Sequence, residues 1–238
     1  MESEWKKALL EKNFIPIFDM PYLYTEMSFK EFLNKTIMQK TMQKIKTIAE
    51  YQQLAKRTCP SLGDQVVNGR HMTLGVITEI GEVLDIFKKY LAYKKPMDLV
   101  NLGEELADIA WYIVNNATFI GVTLETKVNQ EVAYDEELRR FLHEDVMLDE
   151  NMAREHKCET LLLLLASGYT PEPNLDSDFE LIEIQIAVLM YVAELYELDF
   201  FQCLTNNIEK LKVRYPEKFT EEAALNRDLK AERTELEK

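Results

Sequence analysis

Apolar residues spaced by three and four constrain this chain most. Between Met72 and Leu91 the positions Ile77, Ile80, Leu84, Phe87 and Leu91 form one stripe, and Leu102, Leu106, Ile109 and Ile113 form a second. Such spacing puts each set on one face of an α-helix, because 3.6 residues complete a turn. Glycine and proline number only seven each in 238 residues, too few to punctuate a strand-and-turn architecture. The expected fold class is therefore all-α, a helical bundle, and a chain that is 47% hydrophobic can bury a full core.

The segment Lys94-Lys95-Pro96-Met97 separates the two stripes, and Asp98 is placed to cap the second helix. The pair should form an antiparallel hairpin. Upstream, residues 1–45 read as an N-terminal extension bent at Pro16 and Pro21, and a helix from Thr41 to about Arg57 stops at Cys59-Pro60-Ser61-Leu62-Gly63-Asp64. Residues 122–180 are acidic and weakly amphipathic, with a leucine run at Leu161–Leu165, and read as an insertion or subdomain within a main domain of 46–238. Helices at about Leu181–Leu198 and Phe200–Val213 follow, the second ended by Arg214-Tyr215-Pro216,. The charged residues beyond Asp228 are expected to fray.

A formal charge of −14 repels a nucleic-acid backbone, so no nucleic-acid partner is expected. A small polyanion screened by divalent metal remains compatible with it. Cys59, Cys158 and Cys203 are scattered and odd in number, which supports neither a disulfide framework nor a paired-cysteine zinc site. No basic start precedes an apolar run at Met1, and no apolar stretch reaches membrane-spanning length. A cytoplasmic protein with no membrane partner is the expectation.

The chemistry centres on two acidic pairs, Glu79 with Glu82 and Glu105 with Asp108, each spaced i, i+3 so that both carboxylates leave one side of their helix,. In an antiparallel hairpin the pairs can face each other, and four convergent carboxylates call for a cation. Hard oxygen ligands favour Mg²⁺ or Mn²⁺ over zinc. With 42 acidic residues in the chain, chance supplies single pairs freely, and spacing alone leaves a solvated acidic face as an equal alternative. Asn101, Glu105, Asp108, Tyr112 and Asn115 make a continuous polar seam beside the second apolar stripe, as expected for a lined cleft. Trp111 reads as ordinary packing.

Asn207, Lys210 and Arg214 share one face of the last long helix, with Lys218 beyond the Pro216 break. Such a face grips phosphate oxygens, or else forms a solvated basic stripe. Lys88 and Lys89, one to two turns past Glu82, are further candidate phosphate contacts. A di-iron site of Glu-x-x-His pairs is not supported, because Asn68, Arg140 and Ala153 stand three residues before His71, His143 and His156,.

These segments resemble the MazG-like branch of the all-α NTP pyrophosphohydrolases, often found in phage and bacterial genomes. Glu50 through Thr58 resembles the family's opening helix, Leu74 through Val83 its first metal helix, Asn101 through Tyr112 its second, and Asn207 through Phe219 its closing segment. The resemblance covers roughly half the chain in the family's order. It implies that Glu79, Glu82, Glu105 and Asp108 bind Mg²⁺ and that Tyr112, Asn207, Lys210 and Arg214 contact the nucleotide. It further implies hydrolysis of a nucleoside triphosphate at the α–β phosphoanhydride to monophosphate and pyrophosphate, in a homo-oligomer, dimer or tetramer. Glu82 is the expected general base, with Lys210 and Arg214 on the departing pyrophosphate. The insertion at 122–180 and the long N-terminal extension depart from the family pattern. The alternative is a non-catalytic helical regulator that senses a nucleotide or binds a protein on the same scaffold.

Overall fold

The computed structural model describes residues 44–124, 152–167 and 178–237. The expected extension at 1–45 falls outside them except for its last two residues, and so do 125–151 and 168–177 of the expected insertion. Among the described residues every regular element is helical, so the fold is all-α. None of the described helices is long and apolar enough to cross a membrane.

Helix α1 (Ile48–Ala55) starts where the Thr47 hydroxyl accepts from the Glu50 amide, and a 3-10 turn at Lys56–Thr58 ends the segment. Helix α2 (Gln65–Tyr93) is capped by Asp64, whose carboxylate accepts from the Val66 and Val67 amides. It stops at Lys94, which adopts a left-handed conformation at φ 54° just before Pro96 removes a backbone donor. Helix α3 (Leu99–Phe119) has the expected Asp98 cap, accepting from the Asn101 amide.

Helices α4 (Arg154–Ser167), α5 (Asp178–Leu195) and α6 (Phe200–Arg214) follow, and the short α7 (Glu221–Leu225) and α8 (Leu229–Leu236) complete the chain.

Helix α3 is the axis of the bundle, touching α1, α2, α5 and α6. Leu102, Leu106, Ile109 and Ile113 are all buried as their spacing requires, together with Ala107, Ala110, Trp111 and Val114 around the rest of the cylinder. A helix apolar on most sides belongs at a centre. Each such Leu or Ile contributes about 1.5–3 kcal/mol by leaving water. Gly103 lets α6 approach closely, since a Cβ there would lie 2.8 Å from the Cys203 sulfur.

On α2 the buried line is Met72, Val76, Ile80, Val83 and Phe87. It shares Ile80 and Phe87 with the expected stripe but leaves Ile77 and Leu91 at 38% and 45% exposed. Steps of three and four fit two neighbouring lines on a helix this long, and the partner helix selects the one that is buried.

Two other expectations change. Helix α4, within the expected insertion, packs on α2 and α5 and buries Cys158, Leu161, Leu162 and Leu165 in the common core. The C-terminal residues expected to fray form α8, started by an Asp228 cap on the Ala231 amide and packed on α6. Charge density suggested a solvated tail, but Glu232 and Leu236 are buried. The Asn206 amide donates to the Leu236 carbonyl at 3.1 Å.

Candidate metal centre and its cavity

The antiparallel hairpin of α2 and α3 sets His71 and Gly75 opposite Tyr112 and brings Glu79 to the turn that carries Glu105 and Asp108. One carboxylate oxygen from each of Glu79, Glu105 and Asp108 lies within 4.8 Å of the other two, a grouping that could hold a metal ion. Burial, then the Asp108 charge, pushes Glu79 up to about 7. Burial followed by Asp108, Glu104 and Glu79 pushes Glu105 up to about 9. Burial and the charges of the cluster thus favour the protonated forms of both side chains, and a hydrogen bond joins Glu79 to Glu105,. The donor set consists of hard oxygens, as a magnesium or manganese ion requires.

Glu82, the fourth expected ligand, is not in this group. It sits about 4.5 Å further along α2, exposed, on the lining of the same cavity.

Asp108 is held from behind. Asn207 Nδ2 donates to its Oδ1 and Lys210 Nζ to its Oδ2, each at 2.5 Å. Lys210 also donates to Glu104 Oε1 at 3.2 Å. The Tyr51 hydroxyl lies 2.9 Å from both Asn207 Oδ1 and the Ala107 carbonyl and shares its single proton between them. Lys210 is 0% exposed. Its burial would discharge the amine, but Asp108 and Glu104 outweigh that and raise its pKa,.

The expected phosphate-gripping face is thus divided. Asn207 and Lys210 support the carboxylates and lie outside the cavity lining, whereas Arg214 lines the cavity. Lys210 is not part of a solvated stripe either. Lys88, the other candidate contact, forms an exposed pair with Asp85, which Lys89 also joins at 2.5 Å. Lys218 is exposed and outside the lining.

The cavity has a volume of about 600 Å³. Its floor is acidic, with Glu79, Glu82, Glu104, Glu105 and Asp108, and its walls are aromatic, with Trp111, Tyr112, Tyr215 and Phe219. Arg214 and Arg227 are also among its lining residues. Tyr112 lies directly against Gly75, where an added Cβ would fall 2.1–2.5 Å from the ring. Only glycine admits the ring there. Burial, then Glu79 and Asp108, pushes the Tyr112 hydroxyl up to about 12, so it stays a proton donor.

Trp111 is anchored through Nε1 to the Thr58 hydroxyl at 3.1 Å. Arg57 donates to the carbonyls of Tyr215 at 2.6 Å and Glu217 at 3.2 Å, satisfying the C-terminal end of α6.

Sequence reasoning passed over Tyr51, His71, Glu104, Arg227 and Glu232 as site residues. Glu104 had a visible signal, four residues before Asp108 on the same seam. Tyr51 and Glu232 had none, since they reach the site through contacts 156 and 18 residues apart in sequence. Comparison with protein-family models, curated proteins and solved structures finds no match, and the reading of the site rests on its own residues.

Proposed function

We propose that the protein is a magnesium-dependent nucleoside triphosphate pyrophosphohydrolase, converting an NTP or dNTP to the monophosphate and pyrophosphate. The observation that carries this reading is the convergence of Glu79, Glu105 and Asp108 from adjacent helices in a cavity also lined by two arginines. The three carboxylates would hold the ion. Bound there, magnesium would neutralise phosphate charge and acidify a nucleophilic water.

The chain's own groups supply the rest. Glu82, exposed on the cavity lining, takes the proton from the attacking water. Tyr112 donates a hydrogen bond to a phosphate oxygen, and Arg214 offsets charge that grows on the leaving pyrophosphate. The aromatic walls accept a flat ring. Lys210 works through Asp108, holding its carboxylate in place and lowering the repulsion among its neighbours.

Purified protein incubated with Mg²⁺ and a panel of canonical and modified nucleotides should release monophosphate and pyrophosphate in equal amounts. Release of orthophosphate alone, or turnover undiminished in excess chelator, would overturn the reading. Tight nucleotide binding without any cleavage would instead mark a regulator.

A further inference from the structure

Helix α8 brings a carboxylate that the reaction above does not use to two arginines of the cavity lining. Glu232, 2% exposed, accepts from Arg214 Nε at 3.0 Å and Nη2 at 2.5 Å, and from Arg227 Nη2 at 2.8 Å. Both arginines line the cavity that holds the acidic floor. Two guanidiniums this close repel, and the carboxylate between them offsets that repulsion while leaving the trio one net positive charge.

The geometry is directional. Glu232 grips Arg214 along its Nε–Nη2 edge, so the Nη1 side is the edge left for another acceptor, and a planar group held along one side presents the other in a fixed direction. The helix that carries Glu232 is itself tied down, by Arg233 to Asp98 at 3.3 Å and by Asn206 to the Leu236 carbonyl.

Resting on the pyrophosphohydrolase reading, we propose that Glu232 is a positioning residue that sets Arg214 and Arg227 as a two-arginine clamp for the terminal phosphates of the substrate. Helix α8 is then part of the site.

The test uses the full chain and two readouts, calorimetric binding of inorganic pyrophosphate in chelator and steady-state kinetics with the best nucleotide. Glu232→Gln should weaken pyrophosphate binding about tenfold and raise KM by a similar factor, with kcat changed less, because most of the charge the clamp grips is already on the phosphates in the ground state. Glu232→Asp should recover part of the loss, and Mn²⁺ binding to the carboxylates should not change. A purely structural ion pair would lower the melting temperature and leave pyrophosphate affinity untouched; that result overturns the proposal, as does a parent protein that binds no pyrophosphate.

Should Glu232→Gln fail to fold, Arg227→Ala decides, because it keeps the Glu232–Arg214 pair. Weakening of about threefold or more supports the clamp, and unchanged binding ends it. Pyrophosphate binding that depends on Arg227, in a protein that cleaves no nucleotide, would keep the clamp and remove the hydrolase reading. Normal turnover with both variants silent would do the reverse.

Discussion

At the scale of single residues, an expected metal ligand and an expected substrate contact do separate work. Glu105 belongs to the cluster that repels itself. Glu105→Gln should cut turnover by about 100-fold or more, yet in chelator it should melt at the parent's temperature or higher. The amide replaces a side chain that burial and Asp108 already favour in its neutral form, and it can still donate to Glu79. A melt clearly below the parent's would show that Glu105 serves as a structural partner. Lys210 behaves oppositely. Lys210→Met leaves Asp108 and Glu104 without their buried cation and should cost about 3–5 kcal/mol of stability, read from urea unfolding. A loss under about 1 kcal/mol would place Lys210 with the solvated lysines. The polar seam from Asn101 to Asn115 made Glu105 and Asp108 legible, because helical spacing alone puts them on one face. The role of Lys210 was not legible, since a basic stripe has the same spacing whether it faces water or a buried carboxylate.

Among the elements, the α2–α3 hairpin was the most readable. Asp98 caps, Pro96 breaks, and Leu102 through Ile113 point inward, all decided by local chemistry that needs no partner. Ile77 and Leu91 were misplaced because two stripes compete on α2 and only tertiary packing chooses between them. Helix α4 shows the same limit, for an acidic stretch with five consecutive leucines has no clear face until α2 and α5 supply one. Leu162 is fully buried there, so Leu162→Ala should cost about 2–5 kcal/mol. Exposed Leu163→Ala should cost under about 0.5 kcal/mol, and equal effects in thermal or urea melts would mean that α4 is not docked. Removing 122–180, which reads in sequence as an insertion or subdomain, should expose the apolar surfaces of α2 and α5 that α4 covers.

For the whole molecule, charge sets a pH window. Glu79 and Glu105 hold protons in the folded state up to about 7 and about 9, above their ordinary value of 4.5. The folded form then binds more protons than the unfolded chain as pH rises from about 4.5 to 9, and stability falls across that range. Glu232 works the other way. Burial would raise it, but hydrogen bonds from Arg214 and Arg227 prevail and hold it at about 2, so its contribution is present above 4.5 and lost as pH falls towards 2. Metal-free protein should therefore be most stable at mildly acidic pH, and saturating Mg²⁺ should flatten the alkaline decline. Thermal melts at pH 5, 7 and 9 with and without the ion check this, and equal stability at all three in chelator would remove the cluster's electrostatic cost.

The bonds from Tyr51 to Asn207 and from Arg57 to Tyr215 span 156 and 158 residues, and they set an order of events during synthesis. The acidic hairpin leaves the ribosome about a hundred residues before Lys210, so the nascent chain carries its clustered carboxylates without the buried cation that later pairs with Asp108 and Glu104. Contacts of such range also form late when a denatured chain refolds. A divalent cation present from the start would stand in for the missing lysine. Refolding from urea should then be faster in Mg²⁺ than in chelator, and the gain should vanish in Glu79→Gln; identical rates in both conditions would mean that the hairpin closes only after the C-terminal helices arrive.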